Sequence, residues 1–303
     1  MNSYKRINGF TLIELAVVLV IIGLLAYFAL PMSSTLMTGK SRDLTQAKLK
    51  NIEAALLNYV VVNRRLPCPA DGRLAVTNPL AGIEDTRNAV QSCTNNQAAG
   101  VVPYATIGLS AADGQDAWYN MITYRVAYGL TANNALDMSW CDPAGSAAAD
   151  THAVMTTYSI CKPTCTATTL ATNCTSPMNF LSGKGLNIAV DNLATPTLIM
   201  DRATYTGAAY VLISHGENTY GAYTPDGMLR TTATVKVQGT ALEPPNANAP
   251  TATISSAAEP ISPFRDAPYL DFIGNPATYF DDLIVHPSLM SLIQKAQLGP
   301  RSH

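Results

Sequence analysis

Between Phe10 and Leu30 the chain reads FTLIELAVVLVIIGLLAYFAL, 21 residues with one ionisable side chain, Glu14. As a helix rising 1.5 Å per residue, such a run is about 31 Å long, which matches the hydrocarbon thickness of a bilayer. Lys5 and Arg6 precede it, and basic residues at the near end of an apolar helix stay cytoplasmic, which sends the rest of the chain outward. A secretory signal peptide fits less well. The apolar run exceeds the usual length, and no small-x-small cleavage site follows it. The expectation is a retained single-pass anchor, N-terminus inside and the remainder outside.

Within this run Glu14 stands out. A carboxylate deep in hydrocarbon costs roughly 2.5–3.5 kcal/mol, less near the interface, and marks a function or a partner. It can also sit at headgroup level near a helix N-terminus, where the macrodipole favours an anion. Glu14 taken alone leaves both open.

The surrounding residues, Lys5-Arg6-Ile7-Asn8-Gly9-Phe10-Thr11-Leu12-Ile13-Glu14-Leu15, resemble the processing site of the type IV pilin and pseudopilin family. There a short basic leader ends in Gly, Phe usually follows, and a Glu stands four residues later. The resemblance implies that a prepilin peptidase cuts between Gly9 and Phe10 and that the new Phe10 amine is methylated. It places Thr11 and Glu14 in assembly, with Glu14 pairing to the Phe10 amine of a neighbouring subunit. An amine and a carboxylate in hydrocarbon each need a counter-charge, so such a pair would set subunit register. Gly23 and Pro31 fall where many members carry a Gly and a Pro, implying a segment that can unwind in the filament. The implied partners are the peptidase, other pilin or pseudopilin subunits, the inner-membrane assembly platform and the membrane itself. The implied location is the inner membrane with the head periplasmic, and then the filament. The length of the chain beyond the anchor points to a minor subunit.

Residues 32–64 contain no Pro and one Gly, Gly39. Leu49, Ile52, Leu56, Tyr59 and Val60 recur at helical period, and Asp43, Gln46, Lys50 and Glu53 share that spacing on another face. The pattern predicts that the helix continues as an amphipathic segment over 31–65 until Pro67 and Pro69 stop it.

The division expected is a leader (1–9), an apolar helix (10–30), its amphipathic extension (31–65) and a β-rich head (66–303). The fold class is α+β, with the long helix packed on an antiparallel sheet whose loops are pinned by disulfides. Strands are expected at Met121–Val126, Ile188–Val190, Thr197–Met200, Ala208–Ser214, Thr231–Val237 and Asp282–Val285. A short capped helix is expected from Pro287 to Gln297. Residues 239–263, with five prolines and two charges, read as a surface loop rather than core.

All six cysteines, Cys68, Cys93, Cys141, Cys161, Cys165 and Cys174, lie beyond the anchor. An even count on the exported side reads as disulfides, with Cys68–Cys93 one candidate among the 15 pairings that six cysteines allow. Cys161, Cys165 and Cys174 form no C-x-x-C and have no close His, so a zinc knuckle is disfavoured. Asp116-Ala-Trp118-Tyr-Asn120 resembles a turn of the major pseudopilins, departing from it at Ala117, Tyr119 and Met121. Ser214-His215-Gly216-Glu217-Asn218 and Phe280-Asp281-Asp282 resemble the segments where some of those proteins bind calcium. By that resemblance Glu217, Asp281 and Asp282 are the candidate ligands, and no other cofactor is expected.

Formal charge is −2, with 19 Lys+Arg against 21 Asp+Glu, so the sequence carries no electrostatic footprint for nucleic acid. No P-loop or G-x-S-x-G occurs, and the four histidines show no metal spacing. Ser159-Ile-Cys-Lys162 fits S-x-x-K without its companion motifs, and His215 reads as a loop residue. The expectation is a structural subunit and not an enzyme. The other class kept in view is a tethered binding protein, adhesin or hydrolase that reuses a pilin-like export segment.

Overall fold

The computed structural model describes residues 12–86, 93, 100–127, 130–138, 181, 184–191, 193–231, 241–247, 263–270 and 279–299. The chain divides into two compact units, residues 1–43 and 44–303.

The first element is α1 (Leu12–Asn63), a helix of 52 residues that runs without interruption through Gly23, Pro31 and Gly39. Within its first unit the apolar side chains from Leu12 to Leu24 are exposed, Leu12 by 88% and Val20 by 62%. Among the described residues no helix is long and apolar enough to cross a membrane. The side chains of residues 25–38 lie outside the described set.

Along the later part of α1, Thr45, Leu49, Ile52, Leu56 and Val60 are buried, whereas Asp43, Gln46 and Lys50 are exposed and Glu53 is half-buried. The helix ends before the prolines act. Arg64 takes a left-handed conformation (φ 55°), and its N–H still donates to the Val60 carbonyl at 2.7 Å. The bond from Leu136 N–H to the Arg64 carbonyl and the 2.6 Å ion pair with Asp137 hold this unusual backbone in place. Leu66, before Pro67, is barred from helical geometry in any case.

The strands are β1 (Ala70–Asp71), β2 (Gly100–Val101), β3 (Thr123–Val126), β4 (Ile188–Ala189), β5 (Leu198–Met200), β6 (Tyr210–Ser214), β7 (Phe264–Arg265) and β8 (Leu283–Val285). Two further helices are α2 (Pro244–Ala247), a single turn, and α3 (Leu289–Lys295), N-capped by the Ser288 hydroxyl. The larger sheet, in the order β1-β2-β3-β6-β8, is antiparallel throughout. A smaller sheet, β5-β4-β7, pairs β4 antiparallel to β5 and parallel to β7, so the head is not one antiparallel sheet.

Expected strands appear at β3, β4, β5, β6 and β8, trimmed at their ends. Met121 and Ala208 make only isolated bridges. Residues 232–237 lie outside the described residues. Tyr124, Val126, Tyr210 and Leu212 share one face of the β3–β6 pair, and Tyr210 lies beside Glu53, Ala54 and Leu57 of α1. Leu49, Ile52, Leu56 and Val60 join one core with Ile122, Tyr124 and Val126 and with Leu289, Leu292 and Ile293 of α3. Thr123 and Arg125 on the opposite face are buried too, so β3 is covered on both sides.

One surface assignment changes. Glu243, Asn246 and Ala247, inside the stretch read as a surface loop, are buried. His215 lies in the loop after β6, as read, and its side chain is buried.

Candidate functional sites

In the N-terminal region Gly9, Phe10 and Thr11 lie outside the described residues. Glu14 is exposed in the first turn of α1, where the partial positive charge of free backbone N–H groups favours a carboxylate. Gly23 has nothing within 4 Å of where a Cβ would stand. Pro31 is inside α1, and having no N–H it removes one backbone bond of the helix by its covalent structure.

The head builds a second constellation. Beyond β6 the chain turns through Gly216 (φ 59°), so close to Asp281 that a Cβ there would lie 2.5 Å from its carboxylate carbon. This turn presents Asn218. Its backbone N–H donates to Asp281 Oδ2 at 2.9 Å, and its side-chain amide donates to Glu243 Oε2 at 2.7 Å. Tyr279 Oη donates to Asp281 Oδ2 at 3.0 Å, and the Asn246 amide donates to Asp282 Oδ2 at 2.7 Å. Burial pushes the Asp281 carboxyl above its ordinary value, against its hydrogen bonds with Asn218 N–H, the Glu243 side chain, Tyr279 Oη and the Glu217 backbone.

Glu243, Asp281 and Asp282 each bring one oxygen within 4.8 Å of the others, and all three are buried. Asp281 and Asp282 lie in this cluster with Glu243, whereas Glu217 is exposed. Sequence reasoning missed Glu243 because it lies in a Pro-rich stretch. The available signal was an acid isolated in a segment with only one other charge, Glu259.

His215 borders this cluster. Its Nε2 pairs with Thr123 Oγ1 at 3.0 Å, and its Nδ1 lies 3.8 Å from Asp282 Oδ1. Burial drives its pKa down to about 3, so the ring is neutral. Thr123, His215 and Asp282 have the residue types of a nucleophile–base–acid series. The Thr123 hydroxyl is fully buried in a central strand, however, where no substrate carbonyl reaches it.

Asp116, Trp118 and Asn120 form a closed turn before β3. Asp116 Oδ1 accepts from the N–H groups of Trp118 and Asn120, both at 2.9 Å, while Oδ2 accepts from Ser214 Oγ at 2.8 Å. Cys68 and Cys93 are disulfide-bonded, with Cα atoms 5.6 Å apart. Cys141, Cys161, Cys165 and Cys174 lie outside the described residues, as do Ser159 and Lys162.

Residues 4–29 match the prokaryotic N-terminal methylation motif. The chain carries the type IV pilin and pseudopilin signal. That motif points to a pilin-like protein anchored in the membrane, processed by prepilin peptidase and assembled with other pilins. No curated protein and no solved structure matches the chain.

Proposed function

We propose that this chain is a minor pilin or pseudopilin, a structural subunit of a type IV pilus or a type II secretion pseudopilus. In this reading it is cleaved after Gly9, N-methylated at Phe10 and inserted through the inner membrane by residues 10–30, with residues 44–303 periplasmic. The observation that carries it is the methylation motif at residues 4–29, which runs directly into a helix whose apolar side chains are exposed from Leu12 to Leu24. Apolar surface of that extent requires a cover, which is lipid before assembly and the helices of other subunits afterwards. Glu14 then neutralises the Phe10 amine of a neighbour, and the chain makes or breaks no covalent bond.

Mass spectrometry of the protein from cells with active prepilin peptidase tests this. The mature N-terminus should be a methylated Phe10. Retention of Met1–Gly9 would overturn the proposal.

A further inference from the structure

A cavity of about 160 Å³ opens where α1, β6 and α3 meet. Its walls are apolar at Leu57, Pro287 and Leu292, and three polar side chains line it: Glu53 from α1, Tyr210 from β6 and Lys295 from the last turn of α3. Such a volume takes about six to eight non-hydrogen atoms, since a cavity of roughly 150 Å³ holds a benzene ring. Among the described residues Glu53, Tyr210 Oη and Lys295 make no hydrogen bond and no ion pair. Water serves Lys295, which is exposed, and part of Glu53, which is half-buried. Tyr210 is only 1% exposed, so whatever satisfies its hydroxyl has to reach it through this cavity.

The charges around the cavity select what fits it. Burial raises the pKa of Glu53 above 4.5, while Lys295, Lys50 and His286 pull against that rise. Burial also raises the pKa of Tyr210, helped by the charge of Glu53, so the carboxylate and the phenol are close without being bonded. A cation entering alone meets the surrounding bases, and an anion alone meets Glu53. An apolar molecule leaves all three polar groups unserved. A zwitterion answers both signs. Its ammonium donates to Glu53, while its carboxylate accepts from Lys295 and from the Tyr210 hydroxyl. The wall of Leu57, Pro287 and Leu292 then suits an aliphatic side chain.

We propose that this cavity binds a free α-amino acid with an aliphatic side chain of about valine's size, held by Glu53 at its ammonium and by Lys295 and Tyr210 at its carboxylate. The ligand touches three elements that are distant in sequence, so it braces α1 against β6 and α3. The inference does not depend on the filament reading.

The test uses the full chain in detergent, dialysed free of amino acids and titrated calorimetrically with L-valine alone. One saturable site per chain and a raised melting temperature are expected. N-acetylvaline, which lacks the ammonium, and valinamide, which lacks the carboxylate, should each bind at least about tenfold more weakly. Glu53→Gln and Lys295→Met should each weaken valine binding about tenfold, and Tyr210→Phe about fivefold. Without valine these variants should melt close to the parent, since the groups removed have no partner inside the protein; this separates a ligand role from a folding defect. No saturable binding, or binding indifferent to both Glu53→Gln and Lys295→Met, would overturn the site. Binding of N-acetylvaline or valinamide as tight as that of valine would overturn the zwitterion.

Discussion

The guanidinium of Arg65 grips the carboxylate of Glu84 with two parallel hydrogen bonds, Nη1 to Oε2 at 2.9 Å and Nη2 to Oε1 at 2.8 Å. Glu84 also accepts from Cys68 N–H at 3.0 Å and from Tyr59 Oη at 3.0 Å, and Arg65 lies over the Tyr59 ring. One carboxylate thereby ties the last turns of α1 to the segment that follows it. Both side chains are largely buried, at 8% and 20% exposure.

Breaking this pair should therefore matter more than loss of a surface ion pair. Arg65→Ala or Glu84→Gln should destabilise the head by about 2–4 kcal/mol in denaturant unfolding. Burial opposes ionisation of Glu84, but the bonds from Arg65, Cys68 and Tyr59 prevail and hold its pKa below the ordinary 4.5. A depressed carboxylate contributes stability above its unfolded value and loses it as pH falls through the folded value. Wild-type stability should thus drop below about pH 4.5 more steeply than that of Glu84→Gln; parallel curves would show that Glu84 is not the group responsible.

Asp116 should behave with the opposite sign. Burial raises its pKa from 3.8 to about 6, despite its bonds from Asn120, Ser214 and Trp118. Between those values the folded state holds the extra proton, so this group's contribution falls as pH rises from 4 to 6. Asp116→Asn preserves the geometry. Its oxygen can accept both backbone N–H groups, and its amide can donate to Ser214 Oγ. Relative to wild type the variant should gain up to about 3 kcal/mol between pH 4 and pH 7. An equal stability difference at both pH values would refute the assignment.

The Cys68–Cys93 bond closes a loop across a sequence separation of 25. Restricting the unfolded chain over that length is worth roughly 3 kcal/mol in the chain-entropy model. The Cys68→Ser/Cys93→Ser double variant should lose about that much and unfold at lower denaturant. The double variant is a cleaner measurement than reduction, which would also reach cysteines elsewhere in the chain.

For the N-terminus, Glu14→Ala should be cleaved and methylated normally, yet its incorporation into filaments should fall severalfold. Incorporation equal to wild type, measured by immunoblot of sheared filaments, would remove the pairing role.

The elements most legible in the sequence were those whose signal is local. The Leu49–Val60 stripe emerged as the buried face of α1 because helical period alone assigns a side. The strand at β3 was legible from the alternation of Ile122, Tyr124 and Val126 and that at β6 from its apolar run, but not their burial on both faces, which for β3 depends on what covers Thr123 and Arg125. The two-residue strands β1, β2 and β7 are too short for any alternation to register, and α2 hid behind two prolines. In the candidate site, Asp281 and Asp282 were found as neighbours in sequence. Glu217 was named because the segment that carries it resembles a calcium-binding loop, a likeness that the Pro-rich stretch around Glu243 does not share.

By itself, then, the sequence determined the processing motif at residues 4–29, the apolar run behind it and the amphipathic continuation of the helix. Each follows from residues within a few turns of one another, where covalent geometry sets which side chains meet. Only the tertiary structure decided that Glu84 would close on Arg65, and that His215 and Glu243 would be buried beside Asp281 and Asp282. Those groups are separated by loops whose course has no periodic code. They are brought together because the core of α1, β3, β6 and α3 must close, and the polar segments that cover it have to find partners there.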